Sequence, residues 1–136
     1  MPRTKDRIEF TIVVRGDRLD PEQLSGALAV KKSHAVALDA PQGFARSWWG
    51  TLESGTADEE GYEEALERTA SFLMDNEPFF RECSAADQEV ELVLGHAALL
   101  DTQEGDKLFE LALSPKFLLI LTSLNIGLRV EGWHWV

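Results

Sequence analysis

Apolar and polar residues alternate at several places along this chain, and each alternation predicts a strand. Ile8, Phe10, Ile12 and Val14 alternate with Glu9, Thr11, Val13 and Arg15, the period of a strand with one face in the core. His34 to Leu38 reads as a weaker second strand, and Ser47 to Ser54, carrying Trp48, Trp49 and Leu52, as a third. Val90, Leu92 and Leu94 mark a fourth, Phe109, Leu111 and Leu113 a fifth, and Ile126, Leu128 and Val130 a sixth. Neighbouring side chains on a strand point to opposite faces, so Trp48 and Trp49 must split across the sheet.

Helical spacing appears between these runs. Asp20-Pro21 and Ser114-Pro115 are two helix starts of one kind: the Asp or Ser side chain accepts a backbone N–H, and proline occupies the first helical position, where its missing N–H is not needed. Leu24, Ala27 and Leu28 share a face of the first helix, which Gly26 weakens by about 1 kcal/mol relative to alanine. A long helix opens near Asp58, with Tyr62, Ala65, Leu66, Thr69, Ala70 and Leu73 as its buried stripe, and ends or kinks near Pro78. Phe117 to Leu121 are all apolar, so the last helix is expected to be covered on most sides. Asn125 suits its C-terminal end, where a left-handed residue is common. Gly16-Asp17 reads as a turn, Asp39 to Arg46 and Ser84 to Gln88 as loops, and Asp101 to Asp106 as a hairpin connection.

The order is βαββαββαβ. It predicts an α+β fold: one predominantly antiparallel sheet of about six strands, with three helices mainly on one face. Its first six elements follow a ferredoxin-like order. The segment around Leu19-Asp20-Pro21 echoes that around Leu113-Ser114-Pro115, consistent with an internal duplication or with the general likeness of any two strand–helix–strand units. Phe10, Ile12, Leu24, Leu66, Leu92, Leu111, Leu118, Leu121 and Leu128 are the expected core. Residues 1–6 read as a flexible tail and residues 7–136 as a single domain, a size that folds without a disulfide or a metal.

Charge changes this picture. The chain carries −11 overall, and between Thr51 and Glu91 there are 13 acidic residues against Arg68 and Arg81. That segment alone accounts for the whole imbalance. Such a field opposes nucleic acid and anionic membrane and favours a basic partner. Glu59, Glu60, Glu63, Glu64 and Glu67 lie at the early and outward positions of the long helix. Glu64 can pair with Arg68 at i,i+4, while Glu59–Glu63, Glu60–Glu64 and Glu63–Glu67 repel. The single cysteine, Cys83, excludes an internal disulfide and fits a reducing cytosol. No signal segment or membrane span is visible, so a cytoplasmic location is expected.

The segments FTIVVRGDRLDPEQLSGALAV, SWWGTLES and LSPKFLLILTSLNIGLRVEGW together resemble the bacterial family catalogued as domain of unknown function 4279. The likeness spans nearly the whole chain and rests on core and cap positions. The stretch KKSHAVALDAPQGFARSWW departs from the family pattern. The resemblance implies a fold and assigns no chemistry to any residue.

The residues themselves carry no catalytic signature. His34, His96 and His134 lack metal-site spacing, although His96 and His134 meeting across the sheet with carboxylates is one way to assemble a site. Cys83 has no visible base, and a buried thiol is the plainer account. Carboxylates on one exposed helix face share one environment, which does not separate their pKa values as acid–base work requires. Asp101 to Asp106 is only faintly like a calcium loop. No catalytic, metal or cofactor residue is therefore assigned.

Trp133 and Trp135 have the opposite parity to Ile126, Leu128 and Val130. An unbroken strand takes them off the core face and makes them interface candidates, since Trp is enriched where binding energy concentrates. A bulge at Gly132 returns them to the core or to a sheet-capping position, the favoured outcome. The expected function is a small non-catalytic protein-binding domain, in specific form an inhibitor of a basic protein such as an immunity protein against a nuclease toxin. Glu59, Glu60, Glu63, Glu64, Glu67, Trp133 and Trp135 are its candidate protein-binding residues. The alternatives are a small-molecule or enzymatic domain with a pocket between the sheet and the 39–46 loop, and a homodimer joined through the Trp-bearing strand.

Overall fold

The computed structural model describes residues 7–28, 30, 32–36, 44–56, 59–99 and 113–135. In chain order these form β1 (Arg7–Leu19), α1 (Pro21–Leu28), β2 (Lys32–Val36), β3 (Ala45–Thr56), α2 (Glu59–Asp75), α3 (Glu77–Ala85), β4 (Glu89–Leu99), α4 (Pro115–Ser123) and β5 (Ile126–Trp135). One mixed, mostly antiparallel sheet has the order β2-β3-β1-β4-β5. β1 pairs antiparallel with β3 and with β4, and β2 antiparallel with β3. β1 and β2 therefore run parallel with β3 between them, the split β-α-β arrangement of the ferredoxin-like order. β5 extends the sheet in parallel beside β4, a pairing that requires a crossover, of which α4 is part.

The alternation read in β1 decides where the core lies. Ile8, Phe10, Ile12 and Val14 are all essentially inaccessible to solvent. Trp48 pairs with Val14, and Leu92 and Leu94 pair with Ile12 and Phe10, so they share that face. The buried residues of all four helices belong to the same apolar cluster, which puts the helices on one face of the sheet. Val13 and Val93 are buried outside that cluster, on the opposite face. Trp48 and Trp49 do split: Trp48 is buried and Trp49 exposed. The Trp48 indole Nε1 donates to Ser25 Oγ at 3.2 Å, tying α1 to β3. Its ring lies over Gly50, where an added Cβ would run into the ring and come within 2.9 Å of Val30 Cγ1.

Both proline-led helix starts form as their residues dictate. Asp20 Oδ1 accepts from the backbone N–H groups of Glu22 (3.1 Å) and Gln23 (3.3 Å). Ser114 Oγ accepts from Phe117 N at 3.2 Å, with Pro115 in the first turn. Asn125 takes the left-handed conformation, φ 57°, just beyond α4. The long-helix stripe is also in place. Tyr62, Ala65, Thr69 and Leu73 are buried, Leu66 and Ala70 partly so, and the buried Thr69 hydroxyl donates to Ala65 O at 2.8 Å.

Three expectations are corrected. Gly16-Asp17 does not turn the chain. β1 runs through it to Leu19, and the ladder with β3 shifts between Arg15↔Ser47 and Leu19↔Ala45, so the extra residues are absorbed as a bulge-like irregularity. The long helix does end near Pro78, at Asp75, but the number of helices is corrected. Pro78 stands in the first turn of a separate helix, α3, which carries Phe80 and Cys83 into the core, so there are four helices among the described residues. Five strands are described; the expected strand at Phe109, Leu111 and Leu113 lies outside the described residues except for Leu113, and the tail 1–6 and the 101–106 hairpin lie outside them entirely.

The third correction concerns burial. Leu118 is 43 % exposed and Leu128 37 % exposed, although both were expected in the core. α4 buries only Phe117, Ile120, Leu121 and Leu124, one stripe at i, i+3, i+4 and i+7, because a helix lying on a sheet has a single covered side. Leu128 pairs with Leu92 and so keeps the core-face register, but among the described residues β5 is the last strand of the sheet. Phe10, Ile12, Leu24, Leu92 and Leu121 are buried as expected. Leu121→Ala should therefore lower stability by about 2–5 kcal/mol, and Leu118→Ala by less than about 1 kcal/mol. Urea unfolding of the two variants in dilute solution checks this, and equal losses would contradict the packing described.

Candidate functional site

The strongest surface feature begins with α2. Its apolar stripe faces the sheet, so helical geometry turns Glu63, Glu64 and Glu67 to solvent, and all three are exposed. Glu59 and Glu60 belong to the first turn of the same helix, but their side chains lie outside the description. The expected Glu64–Arg68 pair forms at 3.8 Å. A second partner was not foreseen: Arg68 Nε lies 3.1 Å from Glu53 Oε2 on β3. Glu53 is opposite Phe10, and the ladder shifts between Phe10↔Glu53 and Thr11↔Thr51, which leaves Leu52 without an opposite residue. That shift is invisible to simple alternation.

Beside this helix a groove of about 810 Å³ separates α2 from α4. Its lining mixes the carboxylates of Glu53, Glu67 and Asp75 with Arg68 and Lys116 over an apolar floor that includes Leu66, Phe117 and Ile120. It contains no histidine or cysteine among the described residues. A smaller hollow, about 320 Å³, lies between α1, α3 and the end of β1. Arg18 caps it, with its guanidinium 5.1 Å from the centre of the Phe44 ring. Cys83 also borders this hollow. The thiol is buried, and burial, with a smaller contribution from the Glu82 charge, pushes its pKa up to about 11. A nucleophilic cysteine needs the opposite shift.

On the sheet face away from the helices, charges run across three strands. Glu91 Oε1 lies 3.0 Å from Arg129 Nε and 3.6 Å from Arg15 Nη1. Arg129 Nη1 also reaches Glu131 Oε1 at 3.4 Å. Glu91 Oε1 is close enough to both cations for charge attraction, yet neither N–H is aligned as a hydrogen bond to it. We read the contact as electrostatic neutralisation of a carboxylate over Val13 and Val93.

The remaining candidates fall on β4 and β5. The parallel ladder runs unbroken from Val90↔Ile126 to Leu99↔Trp135. No bulge occurs at Gly132, so Trp133 and Trp135 keep the register parity of Arg129 and Glu131 and not that of Ile126. A return to core-face positions through a bulge is corrected by this ladder; the sheet-capping and interface readings concern side chains that lie outside the described residues. His96 is opposite Gly132 and His134 opposite Ala98, diagonal neighbours along the backbone. Among the described residues no group of three His, Cys, Asp or Glu side chains could hold a metal ion. The 39–46 loop, one wall of the alternative pocket, lies outside the described residues through residue 43. No helix among the described residues is long and apolar enough to cross a membrane.

The thiol gives a direct test of this geometry. At pH 9 an ordinary cysteine with pKa 9.0 is half ionised, whereas a group at about 11 is almost wholly protonated. Native Cys83 should therefore react with iodoacetamide at least tenfold more slowly than in urea, since the thiolate is the reactive form. A raised folded-state pKa also means that stability holds below pH 9 and falls as pH rises from 9 towards 11. Equal alkylation rates would show that the thiol is not enclosed by α3 and the sheet. Compared with protein-family models, curated proteins and solved structures, the chain matches none of them.

Proposed function

We propose that this chain is a non-catalytic protein-binding domain whose acidic α2 face receives a basic protein. An immunity-type inhibitor of a basic toxin is the specific form of the reading, and it is an analogy of size and charge. The observation that carries it is the exposure of Glu63, Glu64 and Glu67 together on one helix, inside the segment that holds the whole −11. Glu63 and Glu67 are four residues apart and repel, at a cost of about 0.2–0.5 kcal/mol to the helix. Solubility alone calls for no such crowding, whereas a surface matched to a cationic partner does. The likeness to the domain of unknown function 4279 family belongs to the same proposal and concerns fold only.

Replacing Glu63, Glu64 and Glu67 together by lysine tests the reading. Exposed charges contribute little to stability, so the variant should fold, as circular dichroism would report. Immobilised wild type should retain a basic protein from lysate at low salt. The lysine variant should lose it, and association with the purified partner should slow by about tenfold or more. Identical retention by both proteins at low and high salt would make the acidic face a solvated surface and nothing else.

A further inference from the structure

Among the described residues each end of the sheet exposes a strand, and the two ends are unlike. β2 is five residues long. β5 has ten residues, contains no proline, and pairs with β4 throughout without a bulge. Among the described residues it is hydrogen-bonded along one side only. Proteins that stay monomeric shield such edges with short strands, bulges, prolines or lysines. β5 uses none of these, and on the helix side its middle is apolar: Leu128 is 37 % exposed and Val130 57 %. α4 adds Leu118 and Leu119, the latter 68 % exposed. Ile120 and Lys116 line the groove towards α2, so helical geometry turns Leu118 to the other flank of α4, the side of the β5 edge.

The charges on β5 indicate what could cover this edge. Arg129 and Glu131 are two residues apart, of opposite sign, and share one face. A second copy approaching antiparallel about a two-fold axis pairs each residue with its mirror position around the centre. Centred on Arg129 or Glu131, the strands set like charges against each other. Centred on Val130, they set Arg129 of each copy opposite Glu131 of the other. The same register sets Val130 against itself and Leu128 against Gly132, which is exposed and, among the described residues, has no atom within 4 Å of where a Cβ would stand. We propose that β5 is a homodimer edge: two copies of this chain join β5 to β5 antiparallel about Val130, continuing the sheet across the two-fold axis. The contact is isologous, so it closes and does not propagate into a fibre. It uses none of the α2 carboxylates, so its failure and that of the basic-partner reading are separable.

Sedimentation equilibrium from low micromolar to submillimolar protein is the test, with three variants. Arg129→Glu and Glu131→Arg each set like charges across the interface, and each should weaken self-association about tenfold or more. Mixed together, the two variants regain complementary pairs at both positions and should form a heterodimer. Arg129 also neutralises Glu91, so Val130→Lys is the third variant. It sets two lysines face to face at the two-fold axis and disturbs no ion pair. Circular dichroism should show all three folded. A wild type that remains monomeric over the whole range overturns the proposal, as does a dimer that the variants leave unchanged. Hydrogen exchange supplies the remaining arm. Protection of β5 amides that appears only at high concentration supports the dimer, while equal protection at every concentration means the chain covers its own edge and overturns it.

Discussion

β1 makes backbone hydrogen bonds along both of its sides, and the placement of the other strands follows from that constraint. A strand paired on both sides cannot shift by one residue without carrying every core side chain to the opposite face. Ile8, Phe10, Ile12 and Val14 make that shift prohibitively unfavourable, because all four are enclosed beneath the helices. The register of β3 and β4 is thus fixed by one amphipathic stretch of chain. α1 is tied to β3 by Trp48, and α2 packs Tyr62, Ala65 and Leu73 into the same cluster as the β1 residues, so both helices take their positions from strands that β1 has already placed.

Much of this was legible in the chain because the signals were local. Asp20-Pro21 and Ser114-Pro115 contain both halves of a helix start, and Tyr62 to Leu73 repeats at helical spacing over three turns. What could not be read depended on neighbours remote in sequence. Gly16-Asp17 has turn chemistry, but the pairing with β3 resumes beyond it at Leu19↔Ala45 and carries the strand through. Phe117 to Leu121 gives no sign of which leucines face the sheet, since an all-apolar run has no polar side to orient it. Leu128 has the parity of the core and lacks the cover, because cover is a property of the layer above it. For the site, the outward glutamates followed from the stripe opposite them, whereas Glu53 meeting Arg68 depended on a shift in the β1–β3 ladder.

Charge is arranged differently on the two sides of the molecule. Over the outer sheet face acids and bases alternate, and Glu91 sits between Arg15 and Arg129. On the helix side Arg68 is shared by Glu53 and Glu64, and Arg81 is engaged with Glu77. Among the described residues the excess carboxylates of α2 thus have few cations within reach, and their mutual repulsion is screened by salt.

The parallel attachment of β5 has a kinetic consequence. Residues 7–99 contain every antiparallel pairing in the described sheet, so that part can assemble before α4 and β5 are placed. Adding β5 requires the chain to cross back over the helix face, and its ladder gives no return until that crossover is complete. Native-state exchange is therefore expected to find α4 and β5 opening together as one cooperative unit, at lower free energy than the amides of β1. If β5 and β1 exchanged only through global unfolding, the molecule would have no such seam. With the seam, the strand that completes the sheet can detach while the four-stranded body stays folded, a partly folded form with β4 as its newly exposed edge.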